Sequence, residues 1–176
     1  VRKLNFSGEK FGFDGDCFSY HDFQCLSSQL SSSTLSSISL VGLRSIKEEE
    51  EITLIKKAVE ISDKAFEFML NNLHEGMREI EAAALLEYEM RRLGSEGVSF
   101  PTIVASGVRS ALPHGIASSK VIERGDFVTF DFGAIYSGYH SDITRTVVIG
   151  SASPWQHAIY ELVSEAQMLG IKNARA

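Results

Sequence analysis

From Lys47 to Leu73 the chain reads KEEEEITLIKKAVEISDKAFEFMLNNL, and Ile55, Val59, Ser62, Phe66, Met69 and Leu73 return at steps of three and four. That period predicts one long amphipathic α-helix. Ala58 and Ala65 lie beside the apolar stripe, and Glu48 to Glu51 fall in the first turn, where the helix dipole favours acids. Gly76 interrupts the pattern. A second helix follows over MREIEAAALLEYEMRRLG, closed by Gly94, and its alanine-rich middle permits close packing against a sheet. The character then changes. SFPTIVA, residues 99–105, and FVTFDFGAIY, residues 127–136, are rich in aromatic and β-branched residues, Ser137-Gly138 supplies turn chemistry, and YHSDITRTVVI resumes the strand pattern. Ser153-Pro154 pairs an N-cap with proline at the first helical position and opens a third helix. Two long helices, a strand region, a hairpin and a closing helix predict an α+β domain.

The first 46 residues are less regular. Residues 1–26 read as mixed aromatic and polar strand or loop material without a helical period. SSQLSSSTLSSIS, residues 27–39, is serine-rich with too few apolar positions for a core, which fits a linker or a short surface helix. SLVGL, residues 39–43, reads as a strand, and a domain boundary falls near Ile46. Val1 begins the chain without a methionine, inside a strand-like pattern, as though it starts partway through a longer protein.

Composition changes this picture little. The 176 residues are 44% hydrophobic and 23% charged, ordinary for a globular domain with a real core. No apolar stretch is long enough to span a membrane, and no signal-peptide pattern opens the chain, so a cytoplasmic protein without a membrane partner is expected. The formal net charge is -6, with lysines and arginines scattered rather than striped, which argues against a nucleic-acid partner. Cys17 and Cys25 lie eight apart without a metal-site pattern and read as reduced thiols, with a disulfide between them as the weaker alternative.

The chemistry concentrates in the hairpin. With Tyr136-Ser137 as its two-residue loop, Ile135 opposes Gly138 and Asp131 opposes Asp142. Like charges directly opposed on one face destabilise a strand pair. Either one aspartate stays protonated or a divalent cation lies between the two, and the cation is the favoured reading. A turn one residue off this register, or a bulge, would instead send one aspartate to solvent. His114 is held between Pro113 and Gly115 in the loop leading to the hairpin, a constrained setting for a catalytic group or an ordinary surface residue. His140 shares a face with Asp142 and reads as a rim residue.

These segments resemble a known family. LRSIKEEEEITLIKKAVEISD, EGVSFPTIVASGVRSALPHG and GDFVTFDFGAIYSGYHSDITRT are closely similar to the pita-bread metallopeptidases, in the Xaa-Pro aminopeptidase and prolidase branch. The resemblance implies the first half of a pita-bread fold, helices on a curved antiparallel sheet, over residues 47–176, preceded in residues 1–46 by a remnant of a creatinase-type N-terminal domain. It implies hydrolysis of Xaa-Pro bonds in a proline-containing peptide by two divalent metal ions, Mn foremost with Co or Zn as alternatives, in a homodimeric parent enzyme. Asp131 matches the aspartate that chelates one metal, and Asp142 the one that bridges two. His114 matches the histidine that contacts substrate near the scissile bond and helps stabilise the tetrahedral intermediate. The family's remaining His, Glu and Glu ligands have no counterpart in family context, since only His157, Glu161 and Glu165 follow in the last helix. The chain is therefore expected to be a fragment carrying part of the site, binding metal weakly and lacking peptidase activity alone. Two alternatives share the fold: a non-catalytic binding protein and a metal-free, creatinase-like relative, both disfavoured by the intact aspartate pair.

Overall fold

The computed structural model describes residues 10–30 and 33–175, and within it the chain divides into two compact units, Val1–Glu48 and Glu49–Ala176. The readings made above for residues 1–9 and for Ser31 and Ser32 lie outside the described residues.

In the first unit, β1 (Lys10–Asp14) and β2 (Thr34–Ile38) pair in parallel, with α1 (Tyr20–Gln29) as the crossover and a short α2 (Val41–Ser45) after them. Three expectations are corrected here. Residues 20–29 form a helix although their apolar period is weak, because Ser19 caps it by accepting from the Asp22 N–H and Phe23 packs its ring on Phe13. Part of the serine-rich stretch is a strand, since pairing with β1 satisfies a backbone whose side chains carry no core. SLVGL is not a strand but leads into α2.

In the second unit, α3 (Glu49–Asn72) buries Ala58, Ile61, Ser62, Ala65, Phe66 and Met69. The buried stripe is rotated slightly from the one read in the sequence, because the alanines allow the closest approach. The chain then turns into α4 (Glu79–Arg92). Gly94, with φ +105°, ends it in a Schellman motif: its N–H reaches the Arg91 carbonyl at 3.1 Å, and the Ser95 N–H reaches Met90 at 3.0 Å. Behind the helices, β3 (Ile103–Ser106), β4 (Phe127–Phe132) and β7 (Ile143–Val148) form an antiparallel sheet in the order β3-β4-β7. β4 alternates cleanly. Val128, Phe130 and Phe132 are fully buried under the helices, where Phe66 meets Phe130 edge-on and stacks on Phe132 at ring separations of 5.5 and 5.6 Å. Thr129 and Asp131 point to the other face.

The hairpin tip, β5 (Ile135–Tyr136) with β6 (Tyr139–His140), corrects the expected register. Ile135 opposes His140 and Tyr136 opposes Tyr139, so the loop is Ser137-Gly138. Both loop residues have positive φ, 48° and 77°, the twist-matched turn that glycine tolerates and tyrosine would strain. Glu96 accepts from both loop N–H groups. Asp131 consequently opposes Thr144 rather than Asp142.

Finally α5 (Pro154–Asn173) starts from a Ser153–Gln156 capping box. Gln156, its one buried residue, donates to the Gly125 carbonyl at 2.8 Å, and Trp155 packs on Phe127. Ile159, Leu162, Val163, Met168 and Leu169 are exposed along it. Among the described residues no helix is long and apolar enough to cross a membrane.

Candidate metal centre

The shifted register leaves the two aspartates neighbours. The turn is one residue off the expected one, and this corrects the expectation that such a shift sends one aspartate to solvent: moving a two-residue loop along by one position shifts both strands together, so the parity of facing side chains is kept. Asp142 lies two positions before Thr144, the partner of Asp131, which makes the aspartates diagonal neighbours on one face instead of a directly opposed pair. Asp131, Asp142 and His114 line one pocket of about 360 Å³, walled by Phe100, Pro101, Ile103 and Ile116. All three site residues expected from the sequence therefore meet in one place. His140 is exposed, and neither it nor His157, Glu161 or Glu165 lines the pocket.

Different devices hold each aspartate. Asp131 sits in regular β4, half-buried, and its Oδ1 accepts from the Thr144 hydroxyl at 3.1 Å. Asp142 occupies the irregular step between β6 and β7. There Ser141 is buried, its hydroxyl 2.8 Å from that of Ser62 on α3, and both hydroxyls accept from the Ala134 N–H, at 2.9 and 3.1 Å. Across from this step Gly133 lies so close to the Ser141 carbonyl that no side chain fits. In the sequence Ser62 reads as one position of an apolar stripe, and Thr144 carries no assigned role. A hydroxyl within an otherwise apolar helix face was the available signal for Ser62; nothing marked Thr144 before the register was known.

The donor set suits a divalent cation. Two carboxylates share one face, and neither takes part in an ion pair among the described residues. Carboxylate oxygens are hard donors of the kind Mg, Ca and Mn prefer, and two of them on one face, with Asp142 open to solvent, leave room for a cation to join them. Among the described residues no group of three or more His, Cys, Asp or Glu is gathered as a metal site. Two carboxylates supply fewer oxygens than two such cations take.

Comparison with known proteins supplies the context. Residues 53–176 match the model of metallopeptidase family M24. The Xaa-Pro dipeptidase of Pyrococcus furiosus is 54% identical over 133 residues, 76% of this chain and 38% of that protein. Among solved structures, the Xaa-Pro dipeptidase from Bacillus anthracis superposes with a TM-score of 0.89 at 45% identity, over 96% of this chain and 48% of its own. The X-Pro aminopeptidase from Thermotoga maritima does so with a TM-score of 0.91, also at 45% identity and over the same shares. This chain thus spans about half the length, or less, of the relatives it matches.

Proposed function

This chain belongs to metallopeptidase family M24 and has the α+β architecture of the first half of a pita-bread fold, and on that premise we propose that it carries part of a dinuclear site for hydrolysing Xaa-Pro peptide bonds. The observation that carries the reading is the convergence of Asp131, Asp142 and His114 on one pocket with an apolar wall. Asp131 and Asp142 are the residues that would hold the divalent ions, with Mn the favoured metal. When bound, such ions polarise the scissile carbonyl and make a hydroxide available at neutral pH. Phe100, Pro101, Ile103 and Ile116 offer the surface on which an apolar ring can be desolvated. His114, from the loop above, donates to the oxygen on which charge develops, a contribution that grows in the transition state.

The same reading assigns residues 47–176 to the N-terminal half of the catalytic domain and residues 1–46 to the remnant of a creatinase-type domain. The division between units after Glu48 and the family match starting at residue 53 support it. A cytoplasmic location is proposed with it. The homodimer is proposed on the resemblance alone.

Asp131→Asn and Asp142→Asn in the full-length protein test the assignment. Each is expected to lose bound Mn and turnover of an Xaa-Pro peptide while remaining folded. Unchanged metal content and activity in both variants would refute it.

A further inference from the structure

Glu79, the first residue of α4, has no exposed surface. A buried carboxylate persists only when its oxygens are satisfied, and five donors meet this one. The Ser106 N–H and hydroxyl reach Oε1 at 2.7 and 2.9 Å; the Ser118 N–H and hydroxyl and Arg109 Nε reach Oε2 at 3.1, 2.6 and 3.0 Å. Burial pushes the carboxyl up, but the hydrogen bonds from Ser118 and Ser106 outweigh it and hold the group below the usual carboxylate range. The α4 N-terminus favours the same negative charge.

The position of these donors along the chain is the informative part. Ser106 ends β3, Arg109 lies in the 3₁₀ turn Gly107–Ala111, and Ser118 follows the loop on its far side. One carboxylate therefore clasps both ends of the segment whose middle is His114. Arg109 adds a strut, its Nη2 donating to the Ile116 carbonyl at 2.7 Å, and Ile116 itself bridges to Ile103 in the sheet. Lys120 closes the back of the clasp, bonding the Ser106 hydroxyl at 2.9 Å and Asp126 at 2.7 Å. His114 is exposed, and its place over the pocket is set by its backbone.

We propose that Glu79 is a positioning residue for His114, its carboxylate closing the Ser106–Ser118 loop so that the imidazole is held over the pocket shared with Asp131 and Asp142. The inference rests on the proposed role of His114. Glutamine at 79 keeps the volume but turns an NH₂ toward groups that donate, so at least one end of the loop loses its anchor. A misplacement of about 1 Å costs on the order of 10²-fold in rate.

The test is a double-mutant cycle in the full-length, Mn-loaded protein on an Xaa-Pro dipeptide: wild type, Glu79→Gln, His114→Ala and the double variant, each with Mn stoichiometry and Tm. The expected result is a kcat for Glu79→Gln lower by about 10- to 100-fold, with KM and Mn content unchanged. His114→Ala should then cost much less in the Glu79→Gln background than in wild type. Should Glu79→Gln fail to fold, Arg109→Lys takes its place, since lysine keeps the charge without the fork that reaches both Glu79 and Ile116; the same coupling, smaller in size, is expected. Rate losses that multiply independently, or a fall in Mn content, would overturn the inference while leaving the role of His114 intact. An unchanged kcat in His114→Ala would overturn both.

Discussion

Gly133→Ala puts one methyl group just after β4, against the step between β6 and β7 that carries Asp142. Its Cβ would be driven into the carbonyl oxygen of Ser141 and would lie 2.8 Å from the Ser141 carbonyl carbon and 2.8 Å from Ser99 Oγ. The Ser99 hydroxyl can rotate away only by giving up its 3.0 Å hydrogen bond to the Ala134 carbonyl, and the Ser141 backbone cannot move freely. It is tied by its N–H to the Ala134 carbonyl at 2.9 Å and by its hydroxyl to Ser62 at 2.8 Å. Overpacking of this kind costs about 1–3 kcal/mol, and loss of the buried hydroxyl contact adds about 1 kcal/mol. A total of about 3 kcal/mol lowers Tm by roughly 10 °C in a unit of this size. Because metal–ligand distances tolerate only about 0.2 Å, the displaced Asp142 should also weaken Mn binding, by about 10-fold or more. The assay is calorimetric unfolding and Mn titration of the full-length variant beside Gly97→Ala. At Gly97 the nearest atom to an added Cβ, Ile135 Cδ1, is at an ordinary 3.7 Å, and the expected change is within about 0.5 kcal/mol. The reasoning fails if Gly133→Ala melts within about 2 °C of wild type, or if stability falls while Mn affinity stays.

Two further outcomes follow from particular hydrogen bonds. Thr144→Val removes the hydroxyl that donates to Asp131 Oδ1 without changing side-chain volume much; Mn affinity should fall about 10-fold with Tm nearly unchanged, as read by titration calorimetry. The carboxyls of Glu79 and Glu89 are both held below their ordinary value near 4.5, against burial, the first by Ser118 and Ser106 and the second chiefly by Arg92. A depressed folded-state pKa contributes stability that is complete above the unfolded value and lost as pH falls through the folded one. Tm should therefore be flat from neutral pH down to about pH 5 and decline below it, and a Glu89→Gln variant should show a shallower decline.

The parts of this protein legible in the sequence are those written in local periods. The three-to-four step of α3, the Ser153-Pro154 start of α5 and the alternation of β4 name their elements without reference to anything distant. The shared face of Asp131 and Asp142 was one of two readings the sequence left open, and the structure decides for it because any two-residue turn between them preserves side-chain parity. Which turn is used was not legible: positive φ at Ser137 and Gly138 decides it, and with it the change from opposed to diagonal aspartates. The helix at Tyr20–Gln29 and the strand at Thr34–Ile38 escaped for a related reason, since a cap and a parallel partner stabilise them more than their own patterns do. The residues that hold the site still were decided only by tertiary structure. Ser62 meets Ser141 across 79 positions of chain and Glu79 meets Ser118 across 39. A hydroxyl or carboxylate acquires such a role only when folding removes it from water and leaves one partner within reach, and no local period encodes that.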